Sequence, residues 1–171
     1  MKRVSSKTVY EGKIARVRVD EFIYPDGSTA TREVVGHPGA VAIVAYDEQH
    51  MFMVRQPREA VGEEALLELP AGKLDVKGET PLECAQRELA EEIGKSAGDW
   101  RELRSFYTSP GFANERVWLF LATELYDTPE RRQTDERIQI VEFPLDDLDT
   151  AIGRCEDAKS LIGLMMLKEL I

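Results

Sequence analysis

Apolar residues along this chain follow a period of two, switch to the helical period once near the middle, and then return to two. KIARVRVDEFIY, from Lys13 to Tyr24, alternates apolar and polar positions up to a turn signal at Pro25-Asp26-Gly27. TATREVVGH, from Thr29 to His37, predicts the returning strand. AVAIVAY (40–46) and HMFMVRQ (50–56) are apolar and β-branched, and the polar DEQ between them predicts a hairpin loop. ALLELPAGKL (65–74) predicts one further short strand. The period then becomes helical. Thr80 is placed to cap a helix, Pro81 to occupy its first position, Glu83 to close a capping box with Thr80, and Gly94 to end it. Leu82, Ala85, Leu89 and Ile93 form its predicted apolar stripe. WRELRSFYT (100–108), ERVWLFLATEL (115–125) and RIQIVEFPL (137–145) predict three more strands, with TPERRQTDER (128–137) as a charged loop. A short helix near LDDLDTAIGR (145–154) and a longer one over DAKSLIGLMMLKELI (157–171) follow. No repeat or linker divides the chain, so the pattern predicts one α+β domain.

Composition narrows the class. With 43% hydrophobic and 32% charged residues, the chain reads as a globular protein, and 171 residues suffice for one well-buried core. A net charge of −10 argues against nucleic acid or an anionic membrane as partner. MKRVSSKTVYEG lacks the apolar stretch of a signal peptide, and LIGLMML is too short to span a bilayer. Two cysteines, Cys84 and Cys155, predict no disulfide framework and a reducing, cytoplasmic setting. Neither has a basic neighbour that would make it a low-pKa nucleophile.

One segment of the helix is crowded with like charge. In RELAEEIG (87–94), Glu88, Glu91 and Glu92 are spaced three and four apart. Glu88 and Glu92 fall about 40° apart on the helix, with Glu91 about 60° further round, and all three are expected to point away from the apolar stripe. Like charges at that spacing cost roughly 0.2–0.5 kcal/mol per pair, and the helix dipole disfavours negative charge in the last turns. Either this is a solvated acidic face, or a bound cation relieves it. Oxygen-only ligands of this kind suit Mg²⁺, with Mn²⁺ able to take its place.

GKLDVKGETPLECAQRELAEEIGK, from Gly72 to Lys95, resembles the Nudix box. Glu79, Arg87, Glu88, Leu89, Glu91, Glu92 and Gly94 occupy its fixed positions. Two departures stand out. Six residues instead of five separate Gly72 from Glu79, and Lys95 takes a place usually given to an apolar residue. SPGFANE (109–115), VRQPR (54–58) and TREVVGHPGAVAIV (31–44) resemble the ADP-ribose pyrophosphatase branch of that family.

The resemblance implies a Nudix α/β/α sandwich with a mixed β-sheet and an N-terminal antiparallel β extension. It implies a single domain over 1–171, with strands in 1–38 at a homodimer interface and the Nudix core in 39–171. Glu88, Glu91, Glu92 and the Ala71 carbonyl would hold metal, with Gly72, Arg87 and Gly94 structural in the box. Arg87 would orient the glutamates by ion pairing or contact phosphate, and Glu79 would be a distant metal ligand or a charge at the helix N-terminus. Glu115 or Glu91 would take the proton of the attacking water, unless metal activation suffices. Arg32 and Arg58 would bind substrate, the planar fork of arginine matching a diphosphate, and Phe112 would line the pocket. Ile14 matches a position that packs on adenine in some relatives, with core packing as its other reading. His37 and His50 receive no role. The implied function is Mg²⁺-dependent hydrolysis of ADP-ribose, or of another nucleoside diphosphate sugar, to AMP and ribose 5-phosphate. The alternatives are a Nudix hydrolase of a different nucleoside diphosphate derivative and a non-catalytic nucleotide-binding module. The retained carboxylates favour the enzyme.

Overall fold

A computed structural model describes residues 1–13, 15–128 and 137–171. Ile14 and most of the TPERRQTDER loop lie outside the described residues. Two compact units emerge, one of residues 1–39 and 106–116 and one of residues 40–105 and 117–171.

The first unit is a three-stranded antiparallel sheet of β1 (Lys2–Glu11), β2 (Arg16–Ile23) and β3 (Thr29–Gly36), with β2 in the centre. The turn between β2 and β3 forms where the sequence places it, with the Asp26 carboxylate accepting from Ser28 N–H at 3.0 Å. The periodicity does not mark β1, which only the implied N-terminal β extension covers: all ten of its residues are exposed, so it forms by pairing with β2 and carries no core-facing alternation. The unit's buried charge is Asp20, 1% exposed. It accepts from the Ser6 hydroxyl, from Arg18 Nε at 2.9 Å and from Arg3 Nη1 at 3.4 Å. The Ser6 hydrogen bond, followed by the arginines, outweighs desolvation and holds the Asp20 carboxyl below its usual range.

The second unit is built on a mixed sheet. β4 (Ala40–Tyr46) pairs antiparallel with β5 (His50–Arg58) and β7 (Ala71–Lys73), and parallel with β9 (Arg116–Asp127). β6 (Glu63–Glu68) and β10 (Gln139–Pro144) pair with β5, and β8 (Lys95–Tyr107) borders β9. Val41 to Ala45 of β4 are wholly buried, because both faces of this strand are covered; that explains its unbroken apolar run. One face meets α1 (Pro81–Ile93): Val41, Ile43, Phe52, Val54 and Phe120 pack with Cys84, Ala85, Leu89 and Ile93. The other meets α3 (Ala158–Leu170), whose Gly163 lies against Val44, Leu69 and Leu119. A 3-10 turn, Leu145–Asp147, and the short α2 (Leu148–Arg154) precede α3. The result is the α+β architecture expected, a mixed sheet between helices together with an N-terminal antiparallel sheet.

Three details differ from the sequence reading. The strand expected over 65–74 is two strands, β6 and β7, parted at Leu69-Pro70, where Pro70 has no N–H to donate and its carbonyl accepts instead from Ile43 N–H at 2.9 Å. Leu82 is 38% exposed, since it lies in the first helical turn, ahead of the part of α1 that is buried. Glu92 does not face solvent: it is 4% exposed, and at 100° per residue it lies only about 20° from the buried Ala85.

Candidate functional site

The helix that carries the carboxylates is fixed at both ends by local chemistry. The Thr80 hydroxyl accepts from Glu83 N–H at 3.3 Å while the Glu83 carboxylate accepts from Thr80 N–H at 2.8 Å, a complete capping box. Gly94 adopts the left-handed conformation (φ 70°), and its N–H donates to the Ala90 carbonyl at 3.0 Å. With start and stop set, the phase of Arg87, Glu88, Glu91 and Glu92 is set too.

Arg87 gathers the acidic side chains. Its Nε and Nη2 donate to the two oxygens of Glu79 at 2.8 and 3.0 Å, the bidentate geometry a planar guanidinium favours. Its Nη1 donates to Glu88 at 2.7 Å and to Glu91 at 3.1 Å. The Glu79 partnership, then that of Glu88, pushes the guanidinium pKa further up, and the Arg87 hydrogen bonds hold Glu79 below its ordinary value. Cys84, buried beside them, is pushed up to about 12, chiefly by desolvation, which removes it as a nucleophile.

The carboxylates also meet β7. Glu92 Oε2 accepts from Ala71 N–H at 3.0 Å. Glu88 lies against Gly72 so closely that a Cβ on that glycine would fall 1.9 Å from the carboxyl carbon. Only a residue without a side chain lets the glutamate lie there. Ala71 and Gly72 themselves pair with Ala42 and Val41 of β4, which anchors this edge to the core. Among the described residues no three His, Cys, Asp or Glu side chains stand close enough together to hold a metal ion as they are. The donor set nonetheless fits one. It is all oxygen, as Mg²⁺ and Mn²⁺ require, and it is collected on one helix face and one strand edge.

Arg58, a predicted substrate residue, has a protein partner. Its Nε and Nη2 donate to the two oxygens of Glu68, the latter at 2.9 Å. Glu68 is 1% exposed and also accepts from Lys159, which donates in addition to Asp157 at 2.8 Å. Burial alone would raise the Glu68 carboxyl, but Arg58 and Lys159 hold it below its ordinary value. Asp157 caps α3 by accepting from Ser160 N–H at 3.0 Å, and the Ser160 hydroxyl accepts from Leu69 N–H at 2.7 Å. This network escaped the sequence reading: Glu68 meets Lys159, and Leu69 meets Ser160, across 91 positions, and no local pattern links them.

The remaining predicted residues belong to the first unit. Arg32, exposed on β3, donates from Nη1 to the Thr31 carbonyl at 2.8 Å. Phe112 is 58% exposed at the turn of the 109–115 loop, and its carbonyl accepts from Val35 N–H at 2.7 Å. Glu115 accepts from the Thr108 hydroxyl at 2.7 Å and faces His37 Nδ1 at 3.2 Å. His37 was assigned no role, and it is this contact that recommends it. Among the described residues no helix is long and apolar enough to cross a membrane.

A capped helix thus presents an arginine-bound carboxylate cluster to a glycine-edged strand. Comparison with known proteins gives the class. Residues 36–162 match the NUDIX domain, and residues 1–35 match the nucleoside diphosphate sugar hydrolase N-terminal domain. The chain is 40% identical over 172 residues to an ADP-ribose pyrophosphatase of Bacillus subtilis, covering 98% of this chain and 92% of that protein. It is 37% identical over 172 residues to a methanol dehydrogenase activator of Bacillus methanolicus, with the same coverage. The crystal structure of an ADP compounds hydrolase superposes with a TM-score of 0.85, covering 99% of this chain and 92% of that one. At 22% identity this likeness speaks for the fold alone. The chain belongs to the Nudix family, as a hydrolase of the ADP-ribose pyrophosphatase-like kind with a nucleoside diphosphate sugar hydrolase N-terminal domain. Members of this family typically use divalent metal ions.

Proposed function

We propose that this hydrolase cleaves the pyrophosphate bond of ADP-ribose, releasing AMP and ribose 5-phosphate, with Mg²⁺ as cofactor and Mn²⁺ able to substitute. The observation that carries the reaction is the α1 carboxylate face folded onto Ala71-Gly72, with Glu92 tied to Ala71 and Glu88 pressed on Gly72. The choice of ADP-ribose rests on near-full-length similarity to the B. subtilis pyrophosphatase. Glu88, Glu91, Glu92 and the Ala71 carbonyl would hold the metal, which when bound neutralises phosphate charge and lowers the pKa of a bound water.

Every other part is assigned to the chain's own groups. Arg87 orients Glu88 and Glu91 through the ion pairs described. Glu115 takes the proton of the attacking water, with Glu91 as the alternative base. Arg32 and Phe112 of the first unit and Arg58 of the second keep the substrate-binding roles that the resemblance implies. Arg58 does so through Nη1, the guanidinium nitrogen outside its bidentate pair with Glu68, in the orientation that pair fixes. Incubation with ADP-ribose and Mg²⁺, with products separated chromatographically, is expected to give AMP and ribose 5-phosphate in equal amounts. Cleavage of other nucleoside diphosphate sugars but not of ADP-ribose would shift the substrate, and no cleavage of any would favour a nucleotide-binding module.

The same reading includes a cytoplasmic homodimer. Its support is β1, an edge strand on which Val4, Val9 and Tyr10 are at least half exposed although apolar. Light scattering after size exclusion is expected to give twice the chain's 19.3 kDa. A monomer mass at micromolar concentration would reject it.

A further inference from the structure

Glu115 faces an acceptor. In the first unit its Oε2 accepts from the Thr108 hydroxyl at 2.7 Å, and its Oε1 lies 3.2 Å from His37 Nδ1. That same Nδ1 accepts from Gly39 N–H at 3.2 Å. A ring nitrogen that accepts a backbone N–H carries no proton, so neutral His37 has its proton on Nε2. The Glu115 carboxylate therefore lies 3.2 Å from a ring nitrogen that is able to take up a proton.

The chain holds the pair in this position. His37 N–H donates to Asn114 Oδ1 at 2.8 Å, Asn114 N–H to the Val35 carbonyl at 3.2 Å, and Val35 N–H to the Phe112 carbonyl at 2.7 Å. The strand end carrying His37 and the loop carrying Glu115 are thus stitched together on both sides of the contact. The two side chains keep 19% and 29% of their surface in contact with solvent, so the pair can exchange a proton with water.

We infer that His37 is the positioning and proton-relay partner of Glu115, an inference that rests on Glu115 being the general base. As the water oxygen bonds to phosphorus, its O–H bond breaks and the proton forms an O–H bond on Glu115. The phosphorus–oxygen bond of the pyrophosphate breaks, and the leaving phosphate keeps the electron pair. The proton then passes from Glu115 to His37 Nδ1, which lets go of Gly39 N–H. Loss of the Nε2 proton to solvent, followed by return of the ring to its starting tautomer, resets the pair. No redox partner is needed.

The test compares Glu115→Gln, His37→Ala, His37→Gln and the double variant Glu115→Gln/His37→Ala, with kcat and KM on ADP-ribose and Mg²⁺. Glu115→Gln is expected to lower kcat on the order of 100-fold. His37→Ala should lower kcat roughly 10-fold with KM unchanged, added imidazole should restore it, and the double variant should be no slower than Glu115→Gln. His37→Gln can brace the loop by hydrogen bonding but cannot carry the proton, so it should stay slow with a native melting temperature. If His37→Ala fails to fold, this glutamine variant decides. Wild-type kcat in His37→Gln, or no imidazole rescue of a folded His37→Ala, overturns the relay and leaves His37 a brace. Wild-type kcat in Glu115→Gln overturns the base assignment itself, and the relay with it.

Discussion

Replacing Glu92 by glutamine is expected to lower kcat on ADP-ribose by several hundred-fold, about 3–4 kcal/mol of lost transition-state stabilisation. The substitution separates two jobs. Glu92 braces β7 by accepting from Ala71 N–H, and a glutamine carbonyl oxygen can still accept that bond. What glutamine cannot supply is the negative charge. A loss of activity at native melting temperature therefore assigns the charge to metal, whereas retained activity would reduce Glu92 to a brace. Thermal unfolding gives a second readout. A metal that binds only the folded state at a hundred times its Kd adds about 2.7 kcal/mol, which for a chain of this length raises Tm by roughly 5–10 °C. The wild type is expected to show that rise with Mg²⁺ and Glu92→Gln to lose most of it. No rise in the wild type would remove the metal platform.

Why the box was legible and other parts were not follows from where the determining interactions lie. Thr80, Glu83 and Gly94 act within one helical turn of their partners, so the ends of α1 could be read from neighbouring residues alone. The phase of Glu88 and Glu91 came with those ends. Glu92 was misplaced because only the strict 82/85/89/93 stripe was taken as buried, whereas the helix buries a wider arc, from Cys84 through Ala90, that includes it. β1 left no trace in the periodicity because KRVSSKTVYE buries nothing and owes its form to backbone pairing with β2. Lys159 meets Glu68 across 91 positions, and His37 N–H meets Asn114 across 77; no periodicity encodes such contacts. Arg58 is the instructive case. Its likeness to an arginine near substrate was readable, but the buried glutamate that clamps it was not.

That clamp carries the second large effect. Replacing Glu68 by alanine is expected to destabilise the protein by about 2–3 kcal/mol, which denaturant unfolding would measure. Breaking a buried ion pair by removing one partner costs roughly 3–5 kcal/mol, because the surviving charge stays where water cannot reach it. The figure is reduced here because the Arg58 side chain keeps 42% of its surface exposed, although Lys159 keeps only 15%. The pH dependence follows from the direction of the Glu68 shift. Its carboxyl is held below the ordinary 4.5 in the folded state. The stability it contributes is therefore fully present above that value and is lost as pH falls through the lower folded-state pKa. The gap between wild type and Glu68→Ala should be widest at neutral pH and close progressively below about pH 4.5. A constant gap down to pH 2 would mean that lost packing, and not the lost charge, accounts for the effect. A gap under 1 kcal/mol at neutral pH would mean that Arg58 and Lys159 turn to solvent when Glu68 is gone, and the clamp would then do little to hold Arg58 in place.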